Sequence, residues 1–118
     1  MKILFVAHTS GLGGAELSLF DFIRSLQQRL KVEVAVMLPE PDGVFLNHLR
    51  TYGIQATSIN YSWWCFSKRP QDKTLTDLGI HADLETLLKT ARDFSPDLIF
   101  THSIVIPWGA LLADRLKV

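Results

Sequence analysis

Residues 8–16 read HTSGLGGAE and set three glycines, a histidine and a carboxylate between an apolar run and an amphipathic segment. Glycine costs backbone entropy in an ordered domain and is kept where the chain turns sharply or something approaches the backbone closely. At the start of a helix, unpaired N–H groups and the helix dipole favour an anion such as phosphate. A second stretch, THSIVIP at 101–107, brings His102 and Ser103 to the end of another apolar run. An imidazole there can donate or accept a hydrogen bond. The alternative for both stretches is structural: a tight strand-to-helix turn, and a strand-end histidine bonded to backbone.

The loop excludes several well-defined chemistries. It is not a P-loop, because GxxxxGK[ST] is absent. It is not the full dinucleotide fingerprint, because with Gly11 and Gly13 in place the third glycine falls at Glu16, whose carboxylate repels a pyrophosphate. Glu40, where a ribose-binding acid would sit, is flanked by Pro39 and Pro41. A receiver domain needs acids where this chain has His8-Thr9-Ser10 and Asn60. The four histidines, His8, His48, His81 and His102, show no metal-ligand spacing, so no metal is expected. Cys65 has no partner for a disulfide and no visible acid–base neighbour.

The elements that position these groups follow from periodicity. KILFVAH is a short buried-strand pattern, and Leu17, Phe20, Ile23, Leu26 and Leu30, widened by Leu19 and Phe22, predict a helix from Ala15 to Arg29. KVEVAVML predicts a second strand, ended by Pro39 and Pro41. Asp42 is the expected cap of a short helix, GVFLNHLRTY, closed by Gly53; His48 lies on it. IQATSI is a third strand. After an irregular segment from Asn60 to about Leu78, Leu84, Leu87, Leu88, Ala91 and Phe94 mark a helix stopped by Ser95-Pro96, with His81 at its surface. DLIFTHS is a fourth strand, and Pro107 opens a last helix through Leu116.

Strands alternating with helices in this way predict an α/β, Rossmann-like parallel sheet of about four strands in the order 3-2-1-4, with helices on both faces. Ligands in such sheets bind beyond the carboxyl ends of the strands where the order reverses, here between strands one and four. The glycine loop and His102 are therefore expected in one cleft, with His8 beside them. The 118 residues suit one domain, and twelve charges of each sign argue against nucleic acid as a partner. The apolar opening is too short for a signal peptide, and no stretch is long enough to span a bilayer. A reducing, cytoplasmic setting is expected.

MKILFVAHTSGLGGAELSLFDFIRSL together with PDLIFTHS resembles the N-terminal domain of the retaining GT-B glycosyltransferases of group 1. The resemblance is specific at GGAE and at PDLIFTH, and follows element order along the rest. It implies a two-domain enzyme with a nucleotide-sugar donor and an acceptor in the interdomain cleft, and no cofactor. Residues 1–118 would then be a partial N-terminal domain, lacking the donor domain and its Glu-x7-Glu signature, and inactive alone. It implies that Gly13 and Gly14 lie against the donor diphosphate and sugar, that Glu16 orients the loop or a sugar hydroxyl, and that His102, with Ser103 beside it, reaches the reacting sugar. The alternative is a non-catalytic α/β module that binds a phosphorylated ligand at the glycine loop.

The stretch YSWWCFSKRPQDK, residues 61–73, sets Trp63, Trp64 and Phe66 beside Lys68 and Arg69. Such a loop can stack on acceptor sugars, make peripheral contact with the inner membrane surface, or fold back on the domain as a lid.

Overall fold

The computed structural model describes residues 1–64 and 80–118. Lys68 and Arg69 lie outside the described residues. The chain runs β1 (Lys2–Ala7), α1 (Gly14–Arg29), β2 (Glu33–Pro39), α2 (Val44–Thr51), β3 (Gln55–Ile59), α3 (Leu84–Phe94), β4 (Leu98–His102) and α4 (Trp108–Leu116). The four strands form one parallel sheet in the order β3-β2-β1-β4. The expected fold class and strand order are thus observed.

Strand alternation sorts the core into two layers. Ile3, Phe5, Val34, Val36 and Leu38 meet Leu19 and Ile23 of α1 and Phe45, Leu46 and Leu49 of α2. Leu4, Val6, Ala35, Met37 and Ile59 meet Leu87, Ala91 and Phe94 of α3 and Trp108 and Leu112 of α4. A sheet covered on both sides explains why β1 and β2 are continuous apolar runs.

The helices differ from the sequence reading in detail. The buried stripe of α1 is Glu16, Leu19 and Ile23, whereas Leu17 is 45% and Phe22 is 43% exposed. The apolar arc on α1 is wider than a flat sheet can cover, so one edge of it faces out. Asp42 does not cap α2; Gly43 holds the N-cap position, with no side-chain cap bond. A Cβ on Gly43 would overlap the Ser10 carbonyl group, and Phe45 N–H donates to that same oxygen at 3.1 Å. Close backbone approach thus decides this position. Asp83 caps α3 by accepting from Thr86 N–H at 3.2 Å, and the cap bonds hold its carboxyl below the usual range.

The segment after β3 is more ordered at its start than its composition predicts. Tyr61 bridges antiparallel to Ala82, with Ser62 N–H donating to His81 O and Asp83 N–H to Asn60 O. On β4, Leu98 and Phe100 are 47% and 38% exposed, and Phe100 contacts Phe5 and Phe22 at 5.2 and 5.7 Å between ring centroids. These residues leave an apolar strip along the α1 side of this edge strand.

Candidate functional site

Two hollows lie at the carboxyl end of the sheet, one on each flank of the loop that leaves β1. Pairing sets Ala7 opposite His102, so the residues that follow β1 and those that end β4 meet at the point where strand order reverses. His8 and His102 face each other there with ring centroids 5.4 Å apart. His102 alternates with Phe100 onto the α1 side, where both line a hollow of about 280 Å³ with Ser18, Leu19 and Phe22.

The glycine loop is built by its own helix. Glu16 is buried, and its Oε2 accepts from Gly13 N–H at 2.8 Å. Leu17 N–H donates to Gly13 O, the first helical bond. The carboxylate therefore spends the Gly13 amide internally and ties the loop to the first turn of α1. An imposed φ explains none of the three glycines, since none has a positive φ. A Cβ on Gly11 or Gly14 would meet nothing within 4 Å, and one on Gly13 would lie 3.1 Å from Glu16 Oε2. Gly13 thus makes room for the cap, while a side chain at Gly11 or Gly14 would meet no packing in the domain and both leave open space beside the loop.

Electrostatics favour a neutral His102. Burial pushes its imidazole below the ordinary histidine pKa, His8 lowers it further, and Glu16 pulls it partly back. A neutral imidazole carries one donor and one acceptor, which suits a hydroxyl-bearing ligand. His8 Nδ1 and Thr9 Oγ1 are buried with no hydrogen-bond partner. Ser103, beside His102, has φ of 135°, a conformation that costs about 1–3 kcal/mol outside glycine. Its Oγ accepts from Val105 N–H at 3.2 Å. A strained residue thus sits directly after the histidine at the strand end.

The three tryptophans fasten residues 62–64 over this end of the sheet. Trp63 Nε1 donates to His8 O, Trp64 Nε1 to Ile104 O and Trp108 Nε1 to Ser62 O, each at 2.6 Å. Trp63 and Trp64 thus fold back on the domain, while the two residues remain 45% and 52% exposed. Trp63 stands 5.9 Å from the His8 ring.

Tyr61 is a residue the sequence reading missed. Its hydroxyl lies 2.6 Å from Ala7 O and 3.0 Å from Met37 O, joining the ends of β1 and β2, and burial pushes its pKa up so that it stays protonated. Its place in an irregular, polar-flanked stretch gave no periodicity to find it by. His48 is half-buried on α2 against Phe20 and Tyr52, away from the cleft. His81 precedes α3 and lines the second hollow rather than lying on a helix. Among the described residues no cluster of three His, Cys, Asp or Glu side chains is placed to hold a metal ion.

No family model matches the chain, and no curated protein matches it in sequence. Among solved structures it is similar to MurG of Acinetobacter baumannii, with a TM-score of 0.67 and 16% identity over 99% of this chain. The chain spans 33% of the length of that MurG chain. The likeness is one of fold: a Rossmann-like α/β sheet and helices shared with part of the MurG chain.

Proposed function

We propose that this chain is the N-terminal, partial domain of a two-domain retaining glycosyltransferase that moves a sugar from a nucleotide-sugar donor to an acceptor, without a resident cofactor. The observation that carries the proposal is the open space beside Gly11 and Gly14 at the head of α1, together with the His8–His102 pair at the strand-order reversal. Glycines kept where alanine would fit, at the head of a helix, are consistent with a ligand that must come close to the backbone. The GT-B fold similarity and the GGAE and PDLIFTH stretches support the sugar-transfer class.

In this reading the N–H groups at the start of α1, from Gly14 on, face the donor diphosphate. They stabilise the charge that develops on the leaving phosphate. Gly13 contributes shape rather than its amide, because Glu16 holds that amide. Glu16 keeps the loop in register, and neutral His102 hydrogen-bonds the transferred sugar. The apolar strip of Phe22, Leu98 and Phe100 supports the idea that further elements of the full domain cover the β4 edge.

The test is direct. In a chain that carries both domains, His102→Ala should lower turnover tenfold or more, which is a loss of about 1.4 kcal/mol per tenfold in transition-state binding. Its stability should change little, and His48→Ala should keep normal turnover. An active His102→Ala enzyme refutes the assignment. Sugar transfer by residues 1–118 alone refutes the two-domain reading.

A further inference from the structure

The two histidines of the candidate site stand at the ends of different strands, and the short stretch Tyr61–Trp64 is bonded beside both. Tyr61 O–H lies 2.6 Å from Ala7 O, and Trp63 Nε1 donates to His8 O at 2.6 Å, so this stretch grips the chain where β1 ends. The next residue reaches the loop after β4. Trp64 N–H donates to Val105 O at 2.9 Å, and Trp64 Nε1 donates to Ile104 O at 2.6 Å. Trp108 Nε1 donates to Ser62 O at 2.6 Å and fastens the middle of the stretch to the head of α4. We propose that Trp63 and Trp64 are positioning residues, the two ends of one strap that sets the spacing of His8 and His102. The use of that spacing in sugar transfer rests on the function proposed above; the strap itself does not.

The direction of the bonds supports this role. An indole N–H only donates, so each tryptophan has one directed bond to give. Trp63 gives it to the β1 end and Trp64 to the β4 end. Consecutive Cα atoms are about 3.8 Å apart, so the link between the two loops is as short as a chain allows. Core packing does not account for the pair: both residues stay half-exposed, whereas Tyr61 and Trp108 are buried.

Strain on the β4 side points the same way. Ser103, with its φ of 135°, lies between His102 and the two carbonyl groups that Trp64 holds. A conformation of this kind persists only where the surroundings over-determine it. The Trp64 bonds, with Val105 N–H on Ser103 Oγ at 3.2 Å, supply that constraint. The turn so held leaves the His102 ring 5.4 Å from the His8 ring, and Trp63 stands 5.9 Å from His8 on its other side.

The experiment follows the His8 and His102 imidazoles by NMR through a pH titration of the isotope-labelled 118-residue chain, with no ligand added. Trp63→Phe and Trp64→Phe each keep an aromatic ring and remove the indole N–H. Burial and the neighbouring His8 hold the His102 pKa below the ordinary histidine value, and Glu16 opposes them. Loosening either end of the strap separates the rings and admits water, so His102 should titrate closer to the ordinary value in both variants. One link is cut in either case, so the double variant should shift His102 no further than the larger single change. Ile54→Val, a buried position at the amino end of the sheet, lowers stability and should leave the histidine titration in place. In the parent chain the Trp63 and Trp64 indole protons should exchange with solvent at rates within about tenfold of each other, since one opening frees both. An unchanged His102 titration in both phenylalanine variants overturns the proposal. So do additive shifts in the double variant, an equal shift in Ile54→Val, or a wider gap between the two indole exchange rates. The exchange measurement needs no substitution, so it decides even where a variant fails to fold.

Discussion

Gly14→Ala should make this protein more stable and its proposed ligand site worse. Gly14 opens α1 with no positive φ, and a Cβ built there finds no atom within 4 Å. Alanine at such a position restricts the unfolded chain without straining the folded one and gains about 0.4–1 kcal/mol. At about 2.1 cal/mol/K of unfolding entropy per residue, 118 residues carry about 0.25 kcal/mol/K, so the gain raises Tm by about 2–4 °C. The same methyl group occupies the space that a diphosphate would need to reach the N–H groups of α1. Binding of inorganic pyrophosphate, followed by the amide signals of residues 13–15, should weaken about tenfold or more. Calorimetry and the NMR titration on one sample read both effects. A fall in Tm would mean that the domain itself requires this glycine. A rise in Tm with unchanged pyrophosphate binding would mean that the open space serves no anion.

Gly43→Ala, chemically the same substitution, should destabilise by about 1–3 kcal/mol, because its methyl group overlaps the Ser10 backbone carbonyl; urea titration measures it. Tyr61→Phe should cost about 1–2 kcal/mol by leaving the buried Ala7 and Met37 carbonyl oxygens without their side-chain donor, and an unchanged urea midpoint would remove Tyr61 from the framework of the site. His102 has a depressed pKa in the folded state, so the unfolded chain binds more protons. Stability from this group is present above the unfolded histidine value of about 6.5 and is lost as pH falls through the folded value. Urea midpoints below neutral pH should therefore fall less steeply in His102→Gln than in the parent chain.

The alternation of apolar runs with amphipathic segments is a local signal, and it was sufficient for the eight elements and the parallel sheet; the order 3-2-1-4 was the usual one for such sheets, and the packed structure has it. Once that order is known, the place where His8 and His102 meet follows, because strand ends in a parallel sheet share one edge. Element ends were legible wherever a breaker acts locally, as at Gly53 with its positive φ and at Ser95-Pro96. The expected Asp42 cap failed for a non-local reason: the Ser10 carbonyl, more than thirty residues away in sequence, occupies the space at the head of α2 and leaves room only for Gly43. Which arc of α1 is buried also depended on the partner surface, and the sheet took the Leu19–Ile23 stripe and left Leu17 outside. Side-chain reach decided the rest. Glu16 turns back to hold Gly13, Trp63 fastens to His8, and Tyr61 joins two strand ends 54 and 24 residues distant. Periodicity registers which residues share a face of one element. It carries no information on which atoms of different elements come within hydrogen-bonding distance, and that is set only when the sheet and its helices pack.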